Sequence, residues 1–343
     1  MRTPSPQQLR RLAEELSEVG LDLDGSAPWH ALALIEIDYA LRPSVHERRV
    51  PSYGAIISPA VTTDAWEGRT ELRVAIRPIG DTDIAAARRY ADGQSSWVVL
   101  HHDADEAWAV FDRPAGSERD LVVLAESLEA VVVQRHPNGA VRVVGNFGVL
   151  RWNGLTWHHE KLVSTWFDLV RACKPFADVE LLETLLEFAV HDLGARGIGA
   201  TLIAQPDLSL EASFEHRLPP PPRLKISKAT DLAPLRHALA QVDGASLFDA
   251  DGTLRAIGVR LIPSTDSEMT IDAFRGTRHT SARRYSADDP GATVIVVSED
   301  GPVTVMRAGH LLGASALAMI QPEVTSDLLP SDEAMDELSP EPA

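Results

Sequence analysis

The chain has 343 residues, 44% of them apolar, and a formal net charge of −18. That is enough for two domains of ordinary size. The charge excludes a broad nucleic-acid-binding face, which needs clustered Lys and Arg, but not a small nucleotide met by a few local cations and a metal.

Leu9, Leu12, Leu16 and Val19 recur at helical spacing and predict a helix from Pro6 to Val19. Alternating apolar runs then predict strands at Ala31–Ile37, Tyr53–Ile57, Leu72–Ile76, Trp97–His101, Ala107–Phe111, Leu121–Leu124, Ala130–Gln134, Ala140–Val144 and Val149–Trp152. Asn138-Gly139 and Asn153-Gly154 are hairpin-turn signals between them, and Asp81–Ala91 adds a helix. Leu162 to Cys173 reads as a helix broken by Lys174-Pro175, and Val179 to Leu193 as a helix ended by Gly194. Beyond Pro175 strands and helices alternate. The strands are Ala200–Ala204, Leu224–Ser227 (after the stiff spacer Pro219 to Pro222), Ala245–Phe248, Leu254–Ile262, Thr293–Val297 and Val303–Arg307; the helices are Leu232–Gln241 and Thr277–Tyr285. The expected organisation is an α+β N-terminal domain over 1–175, an α/β domain over 176–321, and an acidic, disordered tail over 322–343. Cys173 is the single cysteine, so no internal disulfide forms. Met1 to Gln8 has no signal-peptide pattern and no apolar run reaches spanning length, so the expected protein is cytoplasmic and does not enter a membrane.

Three polar motifs follow one another in the second half. Asp243-Gly244-Ala245 leads into a strand; its glycine opens the backbone to a ligand, and its carboxylate suits a hard cation such as Mg²⁺ or Mn²⁺. Gly276-Thr277-Arg278-His279 opens a helix that Thr277 can cap, with Arg278 and His279 in the first turn beside bare N–H groups, an arrangement suited to phosphate. Val296-Val297-Ser298-Glu299 ends a strand, where α/β sheets take ligands. Singly, each also reads as ordinary structure: a turn entering a strand, a capped helix with two surface cations, a strand end running into Asp300-Gly301.

Other signals are weaker. Gly194-Ala195-Arg196-Gly197-Ile198-Gly199 follows a helix and precedes a strand, the reverse of a dinucleotide loop, and reads as a helix stop. His101-His102-Asp103 and His158-His159-Glu160 lack a third ligand at metal spacing. Trp152, Trp157 and Trp166 read as core or interface aromatics. Residues 1–175 hold no motif with nameable chemistry.

In order and spacing, the three motifs together resemble the diadenylate cyclase (DAC) domain, the nucleotidyltransferase domain of DisA-like proteins, over Leu181 to Leu312. Asp243-Gly244-Ala245 matches its Asp-Gly-Ala motif, Thr277-Arg278-His279 its Arg-His motif, Val296 to Glu299 its Val-Val-Ser-Glu strand, and Gly258 with Leu261 to Ser264 the strand that lines its adenine pocket. Three positions depart from the pattern: Thr280 stands where a second arginine is usual, Val242 where histidine is common, and Glu299-Asp300 where two glutamates are usual. Arg283 and Arg284, one turn on, are candidates to supply the missing charge.

The resemblance implies a mixed central sheet flanked by helices and the condensation of two ATP into cyclic di-AMP with release of pyrophosphate. It further implies Mg²⁺ or Mn²⁺ held by Asp243 and Glu299, catalysis by Asp243, Arg278 and His279, and nucleotide contacts from Gly244, Ala245, Gly258, Leu261, Gly276, Thr277, Arg278, His279 and Ser298. Each domain holds one ATP, so a homodimer or higher homo-oligomer is expected. The N-terminal block takes the place of a regulatory sensor. Alternatives of other classes are a DAC-like nucleotide sensor with weak or no catalysis, and an assembly scaffold.

Overall fold

β-branched runs too short for helices form two sheets, each covered by helices on both faces. The computed structural model describes residues 4–43, 50–58, 73–79, 84–101, 107–166, 179–205, 213–274, 276–299 and 303–312. The expected boundary at Pro175, Cys173 and the acidic tail lie outside these.

The first sheet has eight strands: β1 (Tyr53–Ile57), β2 (Val74–Pro78), β3 (Ser96–Leu100), β4 (Ala107–Phe111), β5 (Val131–Arg135), β6 (Val141–Gly145), β7 (Gly148–Trp152) and β8 (Trp157–Glu160), in the order β2-β4-β3-β1-β5-β6-β7-β8. Only β1 and β3 run parallel. Helices α1 (Pro6–Glu18) and α2 (Pro28–Leu41) cover one face through Leu16, Ile37 and Tyr39 against Ala55, Val133 and Val143. Between β2 and β3 lies the short α3 (Ile84–Ala87). On the other face α4 (Glu118–Leu128) packs Leu121, Leu124 and Leu128 over Ile56, Val99 and Val144.

Two expected strands are helices. Ala31–Ile37 lies within α2, whose polar Glu36 and Asp38 are buried with its apolar residues, so no amphipathic period marks it. Leu121–Leu124 lies in α4, started by a capping box between Ser117 and Asp120.

The second sheet has seven strands: β9 (Ala200–Ala204), β10 (Phe214–Glu215), β11 (Ala245–Phe248), β12 (Leu254–Leu261), β13 (Thr293–Val297), β14 (Thr304–Arg307) and β15 (His310–Leu312), in the order β10-β12-β11-β9-β13-β14-β15. β9 and β11 are parallel and the other pairs antiparallel. One face carries α5 (Val179–Glu187), its continuation as a π-helix (Phe188–Leu193), and α6 (Ala229–Gln241). The other carries α7 (Thr265–Thr270) and α8 (Thr277–Asp288), which buries Ala282 and Tyr285 against Val294 and Met306. The expected strand Leu224–Ser227 reduces to a single bridge from Lys225 to Thr253, after prolines that lack the N–H a ladder requires. Among the described residues no helix is long and apolar enough to cross a membrane.

The two layers meet through charge. Glu118 of α4 takes Arg151 of β7 bidentately (Nε 2.8 Å, Nη2 2.6 Å), His191 Nδ1 of the π-helix at 2.9 Å, and Arg142 Nε of β6 at 3.5 Å. Asp192 accepts from Arg119 of α4 (2.8 Å) and Arg236 of α6 (2.7 Å), and Arg119 also reaches Glu187 at 3.0 Å. Glu160 of β8 accepts from Trp166 Nε1 at 3.0 Å and from the Val303 backbone N–H at 3.1 Å.

Burial pushes the Glu118 carboxyl up, but the charge and hydrogen bonds of Arg151, with those of His191, more than offset it and hold it at about 2, below the ordinary 4.5. A depressed carboxylate stabilises the fold fully above its unfolded value, and that stability is lost as pH falls through the folded one. The Glu118 contribution is therefore complete above pH 4.5 and drains away towards pH 2. Glu118→Gln leaves two buried guanidiniums without their anion and should cost about 3–5 kcal/mol at pH 7 in urea unfolding. The variant should also lose less stability than the parent between pH 5 and pH 3.

Candidate functional site

Four strand ends converge at one edge of the second sheet. The amino ends of the parallel β9 and β11 lie beside the carboxyl ends of their antiparallel partners β13 and β12, with Val297 opposite Ala200 and Val259 opposite Ala245. Of the three motifs, the Ser-Glu end of β13 therefore occupies a carboxyl end, as expected, and Asp-Gly-Ala an amino end.

An open cavity of about 540 Å³ lies there. Its lining includes Asp243, Gly244, Ala245, Gly258, Leu261, Thr277 and Arg278 of the expected site, joined by Thr201, Ser281, Arg217 and Arg260. The Asp243 side chain is 93% exposed, and Arg278 Nη2 donates to its Oδ1 at 3.5 Å.

Arg278 also faces Gly199, the residue before β9. A Cβ built on Gly199 would lie 2.3 Å from Arg278 Nη1 and 3.2 Å from Glu299 Cγ. Glu299 reaches Gly199 only through its stem, and it lines a neighbouring cavity, not this one. Ser298 is half-buried at the end of β13. His279 is buried, edge-on to the Phe274 ring at 5.8 Å, and does not line the cavity.

Glycine acts differently at two motif positions. Gly244 has φ +111, and a Cβ there would meet the Gly258 carbonyl carbon at 2.8 Å. Its bare Cα is taken up by the neighbouring strand, where the β11–β12 register shifts as a bulge. Gly276, with φ +111 as well, has open space around it and is the N-cap of α8. It makes no side-chain cap bond, so the expected capping by Thr277 is not what starts the helix.

Thr280 explains its own departure from the family pattern. Its single hydroxyl hydrogen is within reach of the Gly276 carbonyl at 2.9 Å and the Phe274 carbonyl at 3.2 Å, and its oxygen accepts from the Phe274 N–H, tying the loop to the first turn of α8. Arg283 and Arg284 do not replace the missing cation: Arg283 donates to Gly309 O, and Arg284 to Ile271 O and Glu268 O. Arg217 and Arg260, which pair with Glu215 at 3.8 and 3.4 Å, bring positive charge to the cavity instead. The sequence hint was Arg260 two residues after Gly258, on the strand assigned to the adenine pocket.

Among the described residues no three His, Cys, Asp or Glu side chains gather as a metal cluster. His158 Nε2 lies 3.0 Å from both Asn153 and Thr156, and His159 Nε2 lies 2.7 Å from Phe147 O. The exposed Asp243 carboxylate, which lines the cavity, fits a hard divalent ion of the kind bound by one or two carboxylates plus substrate phosphates.

Residues 187–311 match the family model described as "DAC: DisA bacterial checkpoint controller nucleotide-binding", and residues 10–160 match "DACNK: Probable sensor domain DACNK". No curated protein matches the chain. Among solved structures, one titled "The crystal structure of the hypothetical membrane spanning protein from Bacillus cereus" is 22% identical, covering 39% of this chain and 71% of that one with a TM-score of 0.29.

The two glycines give a graded test. Gly276→Ala meets only backbone strain and should cost about 1–3 kcal/mol. Gly244→Ala adds a clash with fixed backbone and should cost more, read as the larger fall in thermal unfolding midpoint.

Proposed function

We propose that this chain, which joins a DACNK sensor domain to a DAC nucleotide-binding domain, is a diadenylate cyclase that condenses two ATP into cyclic di-AMP and two pyrophosphates. The observation that carries this reading is the convergence of Asp243, Gly244, Ala245, Gly258, Leu261, Thr277 and Arg278 on one open cavity, where Arg278 pairs with Asp243.

In this reading the base lies against the Gly258–Leu261 end of β12. The triphosphate meets the free N–H groups at the start of α8, the Thr277 hydroxyl and the Arg278 guanidinium. Ser298 adds a donor from β13, and His279 is buried against the Phe274 ring beneath the first turn of α8. Arg217 and Arg260 offset the phosphate charge that a second motif arginine would meet. Asp243 and Glu299 would hold a Mg²⁺ or Mn²⁺, which would supply charge neutralisation at the reacting phosphoryl group.

Each 3′-hydroxyl attacks the α-phosphorus of the other ATP. Its proton passes to the Asp243 carboxylate or to water, the P–O bond to the leaving group breaks, and pyrophosphate departs with the electron pair. Arg278 and the α8 N–H groups stabilise the charge that builds there. Two such displacements need two cavities face to face, so the working unit is a homodimer or larger homo-oligomer. The high exposure of Asp243 fits a site completed by a second copy.

The Thr280 hydroxyl, spent on loop backbone, keeps a second reading open in which the chain binds ATP or cyclic di-AMP as a sensor and turns over slowly. Incubation with ATP and Mn²⁺ followed by mass spectrometry separates them. A cyclase yields cyclic di-AMP, and Asp243→Asn abolishes it at an unchanged melting temperature. Nucleotide-induced thermal stabilisation without product supports the sensor, and no nucleotide effect at all leaves a scaffold. Arg260→Ala should raise the KM for ATP by about tenfold or more, since a charge-assisted hydrogen bond contributes about 1.5–3 kcal/mol.

A further inference from the structure

Between the two sheets lies a second cavity, of about 250 Å³, smaller than a drug-sized ligand pocket. Arg142 of β6, Arg151 and Trp152 of β7 wall it on one side, and Gly194 and Ala195 of the turn after the π-helix on the other. Glu299 stands at its exposed rim.

The charge around it is uneven. Glu118 alone serves Arg151, Arg142 and His191. Arg151 spends Nε and Nη2 on Glu118 and the Val190 carbonyl. For its Nη1 the nearest anionic oxygen among the described residues is Glu160 Oε2, at 3.9 Å and beyond hydrogen-bond reach. Arg142 gives one hydrogen from Nη1 to Gln134 Oε1 at 3.2 Å and one from Nη2 to the Ala195 carbonyl at 3.3 Å, which leaves one N–H on each. Burial above all holds Arg142 below the ordinary guanidinium value; Glu118 pulls the other way, and the charges of Arg151 and Arg196 depress it further.

The two carboxylates at the wall do not cancel this. Glu160 is closed off by Trp166 Nε1 and the Val303 N–H, and burial raises its pKa towards the neutral acid. Glu299 is exposed at the rim, where water screens its charge, and its stem lies beside Gly199.

We infer that this interlayer cavity is a binding site for a small oxyanion, a carboxylate- or phosphate-bearing molecule. Its anionic group takes the spare donors of Arg142 and Arg151 while the rest lies against Trp152. The ligand replaces the counter-charge that Glu118 cannot supply to both guanidiniums at once. The floor of the site is the turn that leads into Gly199, which packs on Arg278 and Glu299. An anion bound there sits one turn of chain from the nucleotide cleft. The site itself stands independently of what that cleft makes.

The test is thermal unfolding of the full chain with inorganic phosphate and, separately, citrate. At about ten times the dissociation constant the melting temperature should rise by about 2–5 °C, and the probe that acts identifies the phosphate or the carboxylate source. Arg278→Ala removes anion binding in the nucleotide cleft and should keep the rise. Arg142→Gln should abolish it. Ala195→Phe fills the cavity without removing any charge and should abolish it even if Arg142→Gln fails to fold. No rise with either probe in the parent chain, a rise unchanged in Ala195→Phe, or one lost only in Arg278→Ala overturns the proposal.

Discussion

One buried carboxylate ties the two layers together. Glu118 leaves α4 of the first layer, and three side chains close on it, Arg142 and Arg151 from the same layer and His191 from the second. Removing a carboxylate of this kind from water is unfavourable unless its lone pairs are filled. Arg151 and Arg142 fill most of them from its own layer, and the His191 bond, with that of Arg151 to the Val190 carbonyl, forms only while the π-helix lies against α4, so the cluster rewards a single relative placement of the two sheets. Asp192, taking Arg119 from one layer and Arg236 from the other, repeats the device one residue later.

That placement reaches the candidate site through short covalent distances. The π-helix ends at Leu193, a 3₁₀ turn covers Gly194–Arg196, and Gly199 follows three residues later at the mouth of β9. A side chain on Gly199 would displace the Arg278 guanidinium or the stem of Glu299. Two groups of opposite charge, from α8 and from the end of β13, are therefore set by a residue with no side chain. On the other side Gly244 packs its bare Cα against Gly258, and Asp243 beside it lines the cavity.

How much of this the sequence revealed depended on whether each signal was local. The strands of the second sheet from Ala200, Ala245, Leu254 and Thr293 were legible as β-branched runs ending in glycine or polar residues, and so were the three motifs. Ala31–Ile37 was not, because a helix buried on all sides has the same apolar run as a strand, and Glu36 finds its partners, Arg88 and Tyr53, only in the folded chain. Leu121–Leu124 was misassigned although Ser117 and Asp120 spelled a capping box. Arg217 and Arg260 were missed at the site because neither belongs to a motif; they join it through the β10–β12 pairing. His279 was placed on the phosphate by its neighbour Arg278, whereas helix geometry turns successive residues about 100° apart and sends it into the core. No single segment held the ion cluster at Glu118, since its members come from positions 118, 142, 151 and 191.

The central claim is that Asp243, Arg278 and Glu299 form one metal-and-triphosphate site. A crystal of the full chain grown with Mn²⁺ and an ATP analogue that cannot lose pyrophosphate, measured at the manganese absorption edge, tests it most directly. An anomalous peak is expected at coordination distance from an Asp243 carboxylate oxygen, with the triphosphate at the start of α8 against Arg278. Manganese and nucleotide bound elsewhere, with Asp243 touching neither, would contradict it.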